Sequence, residues 1–600
     1  MKICHVFDPS PDTLATPLAA SDTQKPKTIR WERLCWLVAL VLGFLQAWGR
    51  RHNSADGLGY IGPDGISYLD IGDAYMRGDW YVALNAMWSP FYSWLLGITL
   101  HLFKPSPFWE FTVVRLLNFL IYAIALSCFA FFLRALRREF HKRITHVPLP
   151  DWSWLVFGYT IFIWTSLFMN RVSRVTPDML FAALIFLASG ILLRMRSDSH
   201  HWHLFVSLGV VLGIGYLTKT IMFPLAFVFV GVALVLARQT NGRKEAVLRA
   251  AVSLIVFLTL ATPFVILLSR SKNRFTIGDS ARLNYAWYVN GATRFIHWQG
   301  EPVGSGTPLH PTRMLLTAPA IYEFAGPVGA TYPPWYDPSY WYEGVALNFN
   351  LRQQLSALWR NLASLYGLLL YRGFLVVVGF ALFVLLCQTR PWRRVLENIS
   401  VFLFLLVPSL VAVGFYLLIN IEPRYLAPFI PVIVLSLFAA VRLSVTEEAQ
   451  RLLAAVSVGL VLMFLVSVFP FTAKAAYATL QDFVPEQAAS RDVEWQVADG
   501  LRKLGVQPGE RVATIGNTMF AAWPRLARVR VVAELPEAPP GNIEKFWSGE
   551  DQIRELALAA FAQTGARVVV ADAIPQWALG KATNWQRIGN TDHYVYFLRR

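Results

Sequence analysis

Charge is scarce in this sequence. Of 600 residues only 15% are Asp, Glu, Lys or Arg, against roughly 25% in soluble globular chains, and that shortage argues against an ordinary soluble enzyme. Acidic side chains are the rarer kind, 38 against 54 Lys and Arg, leaving a formal net charge of +16. Cysteine is rare too. Cys4, Cys35, Cys128 and Cys387 fall in the N-terminal tail or in hydrophobic stretches, and no pair of them has the spacing of a disulfide framework or a metal site. The first residues, "MKICHVFDPSPDTLATPLAASDTQKPKTIRWER", lack the apolar core of a signal peptide, so the first hydrophobic span is expected to stay as an anchor. No glycine-rich loop offers itself to a nucleotide phosphate. The chain also lacks the two related halves common in transporters.

What the chain has in quantity is hydrophobicity: 55% apolar residues and 22 Trp, with a mean hydropathy of +0.43. Runs long enough to cross a bilayer occur at 35–49, 111–133, 154–169, 179–193, 204–217, 220–237 and 250–268. Further runs near 373–388, 401–419, 426–441 and 452–472 bring the expected number of membrane helices to about eleven. The apolar stretch 89–103 is short, follows a proline and precedes "KPSP"; it reads as an interfacial helix on the outer surface. Counting it as a crossing would put "RALRREFHKR" outside, against the positive-inside rule. The basic loops "RALRREFHKR", "RMRSDSHHWH", "RQTNGRKEAVLR" and "QTRPWRR" then share the cytoplasmic side. They account for the positive charge through topology and anionic headgroups, without nucleic acid.

The expected organisation is an α-helical polytopic protein of the inner (plasma) membrane. A cytoplasmic tail spans 1–33 and a transmembrane domain 34–472, with a first outer loop at 50–110 and a large one at 269–360. Residues 473–600 alternate helix-like and strand-like segments, as in a small extracytoplasmic α/β domain.

Several charged residues collect on the outer side of this topology. "YIGPDGISYLDIGDAYMRGDW" (60–80) holds Asp64, Asp70, Asp73 and Asp79; "NRVSRVTPDML" holds Arg171, Arg174 and Asp178; "YLTKT" holds Lys219; "NIEPRYLAP" holds Glu422 and Arg424. Ionisable groups at a membrane border are costly and mark function, and cations beside one or two carboxylates suit a lipid-linked phosphate next to a general base. Each residue has a plainer reading as well. Asp64 in "GPDG" forms turns, Asp178 suits a helix N-terminus, Lys219 can snorkel, and Arg424 can pair with Glu422 alone. Asp70 and Asp73 read as structural or surface charges. In "TYPPWYDPSYWYEG" (331–344), Trp335, Tyr336 and Asp337 offer sugar-stacking rings and a carboxylate, or an aromatic belt.

The motif "PDGISYLDIGDAYMRGDW…WSPFYSWLLGI", followed in order by "RVTPDML", "GIGYLTKT" and "EPRYLAPFIP", resembles the GT-C glycosyltransferases of the family 39/PMT_2 type. That family includes protein O-mannosyltransferases and aminoarabinose lipid A transferases. The resemblance runs from about 60 to 435 and leaves the C-terminal domain uncovered. It implies a GT-C membrane fold and transfer of a sugar from a polyprenyl-phosphate donor to a lipid, glycan or protein acceptor. Asp64 would be the catalytic base and Asp178 the second acidic position. Lys219 and Arg424 would be donor-phosphate residues, with Arg171, Arg174 or Arg115 replacing a lysine missing from "NAMWSP". Tyr68, Trp335, Tyr336, Asp337 and Glu422 are the candidate acceptor or sugar contacts. Gly65 stands where many members carry Glu, leaving Asp64 as sole carboxylate of that pair. No nucleotide is required and no cofactor is predicted firmly; a divalent cation between Asp64 and Asp178 is open, and the spacing does not decide it. The competing reading is a non-enzymatic transporter or flippase of lipid-linked sugars.

Overall fold

The computed structural model describes residues 25–48, 61–142, 149–198, 200–294, 297–324, 329–370, 373–388, 392–443, 446–481 and 492–598. The tail 1–24 and the start of the first loop, 49–60, lie outside the described residues. Among the described residues, each hydrophobic run read from the sequence lies mainly on helix, the run 426–441 being broken by a turn at 427–429. Six helices are long and apolar enough to cross a membrane: Arg30–Trp48, Pro107–Lys142, Asp151–Asn170, Asp178–Ser197, Arg243–Ser271 and Glu447–Tyr477. Two bent pairs, Leu351–Leu370 with Phe374–Cys387 and Trp392–Ser400 with Leu403–Ile419, raise the number to eight if each is one span. Trp202–Thr218, Met222–Arg238 and Ile430–Ala439 are apolar but shorter. The helix Leu351–Leu370 begins inside the stretch read as loop to 360.

The two ends of the bundle differ in chemistry. At one end the basic segments pair locally: Arg137 with Asp151, and Arg196 Nε with Glu139 at 3.1 Å. At the other end the first loop, the 171–177 turn, Lys219, the segment 272–350, the 420–429 turn and the tail meet.

The first loop is mostly helical. Gly62–Arg77 starts with a proline in its first turn and Asp64 beside it, both favourable where four N–H groups are unpaired and the helix end is positive. It ends at left-handed Gly78. It crosses Pro90–Phe103 at two glycines: a Cβ on Gly72 would lie 2.7 Å from the Ser93 carbonyl oxygen, and one on Gly97 2.5 Å from that of Gly72. The stretch 89–103 is therefore a helix packed backbone to backbone on the Asp64 helix. Tyr92 ties it further, donating to Asn118 Oδ1 at 2.6 Å.

The tail is a three-layer α/β unit that borrows strands. Its sheet runs β1 (Arg313–Thr317), β2 (Ala320–Glu323), β4 (Arg530–Pro536), β3 (Arg511–Gly516), β5 (Val568–Ala571), β7 (Tyr594–Phe597), β6 (Gln586–Arg587). The β4–β3–β5 core is parallel and buried on both faces, which is why "VVVA" reads as an unbroken apolar run. Val569 and Ala571 face Phe546, Trp547 and Phe561, while Val568 and Val570 face the opposite layer. The β1–β2 hairpin comes from the 269–360 segment, with Tyr322 opposite Glu534 in antiparallel register.

One guanidinium docks this unit onto the first loop. Arg525 donates to Asp70 Oδ1 at 2.6 Å and to Glu110 Oε1 at 2.6 Å, and reaches Asp73 Oδ2 at 2.9 Å; Arg528 pairs with the other Glu110 oxygen. Thr331 adds its N–H and hydroxyl to Asp70 at 2.9 and 3.0 Å. Burial pushes the Asp70 carboxyl above its ordinary range even with Arg525 beside it. Asp70 is thus a buried anchor, and Asp79 caps the turn Trp80–Ala83 by accepting from the Val82 N–H.

Candidate active site

The four motifs converge on one charged cluster. Arg424 sits in the one-turn helix Pro423–Leu426. It bonds Asp64 Oδ2 at 3.0 Å and Glu422 Oε2 at 2.8 Å, and lies 3.8 Å from Asp178 Oδ2. Asp178, buried as the first residue of its helix, accepts from Lys219 Nζ at 2.5 Å. Lys219 ends the helix Trp202–Thr218, and its ammonium stands 4.2 Å from the Tyr425 ring centre and 5.8 Å from those of Phe181 and Tyr416. Such a ring cage holds a cation out of water at the membrane border.

The carboxylates of Asp64 and Asp178 therefore share a guanidinium, with a lysine on the far side. Among the described residues no group of three or more His, Cys, Asp or Glu is placed to hold a metal.

Two cavities flank the cluster and share no lining residue. The larger, about 440 Å³, is walled mainly by apolar side chains, with Lys219, Tyr68, Trp88, Tyr416 and Tyr425 at the cluster and Ile221, Pro224 and Leu418 further along. The smaller, about 240 Å³, is lined by Asp64, Arg424, Glu422, Arg174, Arg294 and Trp335, and by Met519 and Phe520 of the tail.

The remaining predicted residues divide. Tyr68 is buried against Trp88 and Tyr92, with ring centres 5.3 Å from each, and faces the large cavity. Trp335 lines the small one, its carbonyl accepting from Ser67 Oγ at 3.0 Å on the Asp64 helix. Tyr336 lies instead in a packed cluster with Ile71, Ala74 and Val82. Asp337 caps the next turn, accepting from the Ser339 N–H at 3.1 Å. Both stand away from the cavities, where a cap and a core ring serve the loop. Arg115 is fully buried in its helix and lines neither cavity. Arg171 opens the 171–177 turn in the left-handed region and lines a crevice with Asn118 and Asn170. Arg174 faces the small cavity, on the Asp64 side.

Gly65 is explained by its neighbour. A Cβ there would lie 2.9 Å from Val175 Cβ and 2.7 Å from Ile61 Cγ2, so the turn carrying Arg174 occupies the space a larger residue would need. Arg294, Met519, Phe520, Tyr416 and Tyr425 were not among the residues singled out from the sequence as site residues. Only the last had a local signal, its place beside Arg424.

No protein-family model matches the chain, and no curated protein does. Among solved structures it is similar to ArnT from Cupriavidus metallidurans bound to undecaprenyl phosphate, at 16% identity over 94% of this chain and 97% of that one, TM-score 0.47. The apo state of the same protein gives TM-score 0.48 at 16% identity, covering 95% of this chain and 98% of that one. The Archaeoglobus fulgidus oligosaccharyltransferase tethered to an acceptor peptide gives 13% identity over 90% and 69% of the two chains, TM-score 0.44. Both neighbours are GT-C glycosyltransferases. Identities this low and TM-scores below 0.5 leave the residues themselves to carry the functional reading.

Proposed function

We propose that the chain is a membrane glycosyltransferase that moves a sugar from a polyprenyl-phosphate donor to an acceptor outside the cytoplasm. One observation carries this reading. Asp64, Asp178, Lys219 and Arg424, far apart in sequence, form one cluster between an apolar cavity and a polar one. A lipid-borne phosphate needs that combination: apolar walls for the chain, cations for the head, and a carboxylate for the incoming nucleophile.

In this mechanism the polyprenyl chain occupies the large cavity and its phosphate meets Lys219 and Arg424. Phosphate competes with Asp64 for Arg424 and frees the carboxylate to act as a base. The acceptor hydroxyl or amine gives its proton to Asp64 while its heteroatom bonds the anomeric carbon. The anomeric carbon–phosphate oxygen bond breaks, and its electron pair leaves on polyprenyl phosphate. Guanidinium and ammonium already in place stabilise that charge without reorganising. A single displacement inverts the anomeric centre. Asp178 holds Lys219 in position. The orientation that accompanies this mechanism puts the N-terminus in the cytoplasm and the α/β unit outside.

The test is donor turnover. Full-length protein in lipid nanodiscs, given a polyprenyl-phosphate sugar and an envelope extract as acceptor, should release polyprenyl phosphate and label the extract. A donor that stays intact with every extract, in protein that binds polyprenyl phosphate, would sink the reading.

A further inference from the structure

A further cavity, of about 230 Å³, lies toward the other end of the helix Gly62–Arg77. Its charged lining is Asp70, Asp73 and Arg77 from that helix and Arg525, Arg528 and Arg530 from the α/β unit. It shares no lining residue with either cavity beside Asp64. Asp64 and Asp73 are nine residues apart on one helix, about 13 Å along its axis. Gly329, Ala330 and Gly509 complete the wall. They carry little or no side chain, so the arginines face open space.

Four guanidiniums meet three carboxylates here. Asp70, Asp73 and Glu110 surround Arg525, while Arg528 pairs with Glu110 and lies 3.9 Å from Asp73. Arg77 and Arg530 are exposed and form no ion pair, ring contact or side-chain hydrogen bond among the described residues. A solvated arginine is ordinary by itself. Two that face a cavity already holding two more leave the group one negative charge short. The planar fork of arginine matches the oxygens of a phosphate two at a time. A cation would instead meet four guanidiniums, and among the described residues no group of three His, Cys, Asp or Glu is placed to hold a metal. The volume is below the roughly 300 to 1,000 Å³ of drug-sized ligand pockets, which suits a phosphate and its first substituent.

We propose that this cavity is a phosphate-binding site, separate from the cluster at Asp64, and that it takes a phosphate group between Arg77 of the first loop and Arg528 and Arg530 of the α/β unit. The inference goes beyond the glycosyltransferase reading and stands without it. A lipid headgroup and a soluble phosphate monoester present the same oxygens to these arginines. Next to Arg77, the side chains of Met76, Trp80 and Tyr81 are exposed, as in an aromatic belt at a membrane border, which brings headgroups within reach. A phosphate held there bridges the junction that Arg525 already fastens, so occupancy favours the docked α/β unit by mass action. Asp73 opposes the ligand: its carboxylate borders the cavity and draws on the charge of Arg525 and Arg528.

The test is phosphate binding by full-length protein in phosphate-free detergent micelles, with no sugar donor present. Inorganic phosphate and glycerol 1-phosphate are the soluble probes; phosphatidic acid and phosphatidylglycerol, mixed into the micelles, are the lipid-borne ones. At least one pair should bind, and the tighter pair identifies the source. Arg77→Gln and Arg530→Gln remove exposed side chains without ion pairs, so the thermal midpoint of the free protein should hold while binding weakens about tenfold in each. Asp73→Asn should act in the opposite direction and tighten binding about threefold. Arg424→Gln separates this site from the cluster at Asp64: binding that responds to Arg77→Gln should persist in it. No binding of any probe, indifference to both Arg77→Gln and Arg530→Gln, or weaker binding in Asp73→Asn would each overturn the proposal.

Discussion

The helix Gly62–Arg77 carries two charge clusters, and they are built differently. Around Asp70, three carboxylates close on Arg525, and the centre is sealed, with Glu110 0% exposed, Arg525 2% and Asp70 8%, while Asp73 at 25% and Arg528 at 40% form its rim. Around Asp64, two cations meet three carboxylates, and several of them stay open: Asp64 is 21% exposed, Glu422 31%, Arg424 15% and Lys219 19%. The buried centre of the first cluster is taken up by Arg525, and its rim, Asp73 and Arg528, borders a cavity of about 230 Å³. The open one faces two cavities and keeps groups within reach of a ligand. Identical residue types six positions apart on one helix thus stand in an anchor at Asp70 and in the proposed reactive site at Asp64, and the burial of the two carboxylates, 8% against 21% exposed, distinguishes them.

The largest effect that would break this comparison is catalytic. Asp64→Asn keeps size but cannot take a proton, so turnover should fall about 10²- to 10⁴-fold with the thermal midpoint near wild type. Near-normal turnover would move the base elsewhere, with Asp178 the next candidate. Arg525→Met should show the opposite pattern. It leaves Asp70 without a cation and Glu110 and Asp73 with Arg528 alone, and should cost roughly 3–5 kcal/mol of stability, read as a lower midpoint in detergent, while donor-phosphate binding at the open cluster persists. Loss of donor binding at an unchanged midpoint would place Arg525 in the active site instead.

A smaller effect tests the packing between loops. Gly65→Glu restores the carboxylate common in the family but forces it against Val175; overpacking of this kind costs roughly 1–3 kcal/mol. We expect a lowered midpoint and reduced turnover, and a gain in turnover would show that the 171–177 turn yields easily. The smallest effect concerns pH. His297 bonds Thr312 through Nδ1 at 2.9 Å and Glu534 through Nε2 at 2.8 Å. Burial holds its pKa below the ordinary 6.5. A lowered histidine stabilises the fold above its unfolded value and loses that contribution as pH falls below it. The junction between the 297–324 segment and β4 should therefore weaken below about pH 6.5, by at most roughly 1.4 kcal/mol per unit. Amide exchange of 313–323 at pH 7.5 and 5.5 would register it; equal protection at both would assign the stability to backbone pairing alone.

The sequence carried the helices because their signal is local. Apolar runs are contiguous, and each lies mainly on helix. It also carried the open cluster, since Asp64, Asp178, Lys219 and Arg424 stand in short motifs with recognisable neighbours. The sealed cluster had no such signal. Arg525 and Asp70 are 455 residues apart, and nothing in "WPRLARVR" distinguishes the arginine that is buried from those that are not. Asp70 and Asp73, read as structural or surface charges, proved to be the tail's attachment points. Phe520 was invisible for the same reason: a ring in a turn gains meaning only from the helix packed beside it. Tyr336 and Asp337 were singled out by composition, and composition does not say which rings of an aromatic loop face inward.

The borrowed hairpin has a consequence for how the protein is made. β2 is synthesised some two hundred residues before its partner β4, so until the tail emerges its outer edge is a row of unpaired backbone donors and acceptors. Such an edge invites pairing with another chain, and closure over that distance is slow. A chain cut after residue 473 would display that strand unpaired and also lose Arg525 and the wall of Met519 and Phe520 beside Asp64, so aggregation during biogenesis would accompany the loss of support for the site.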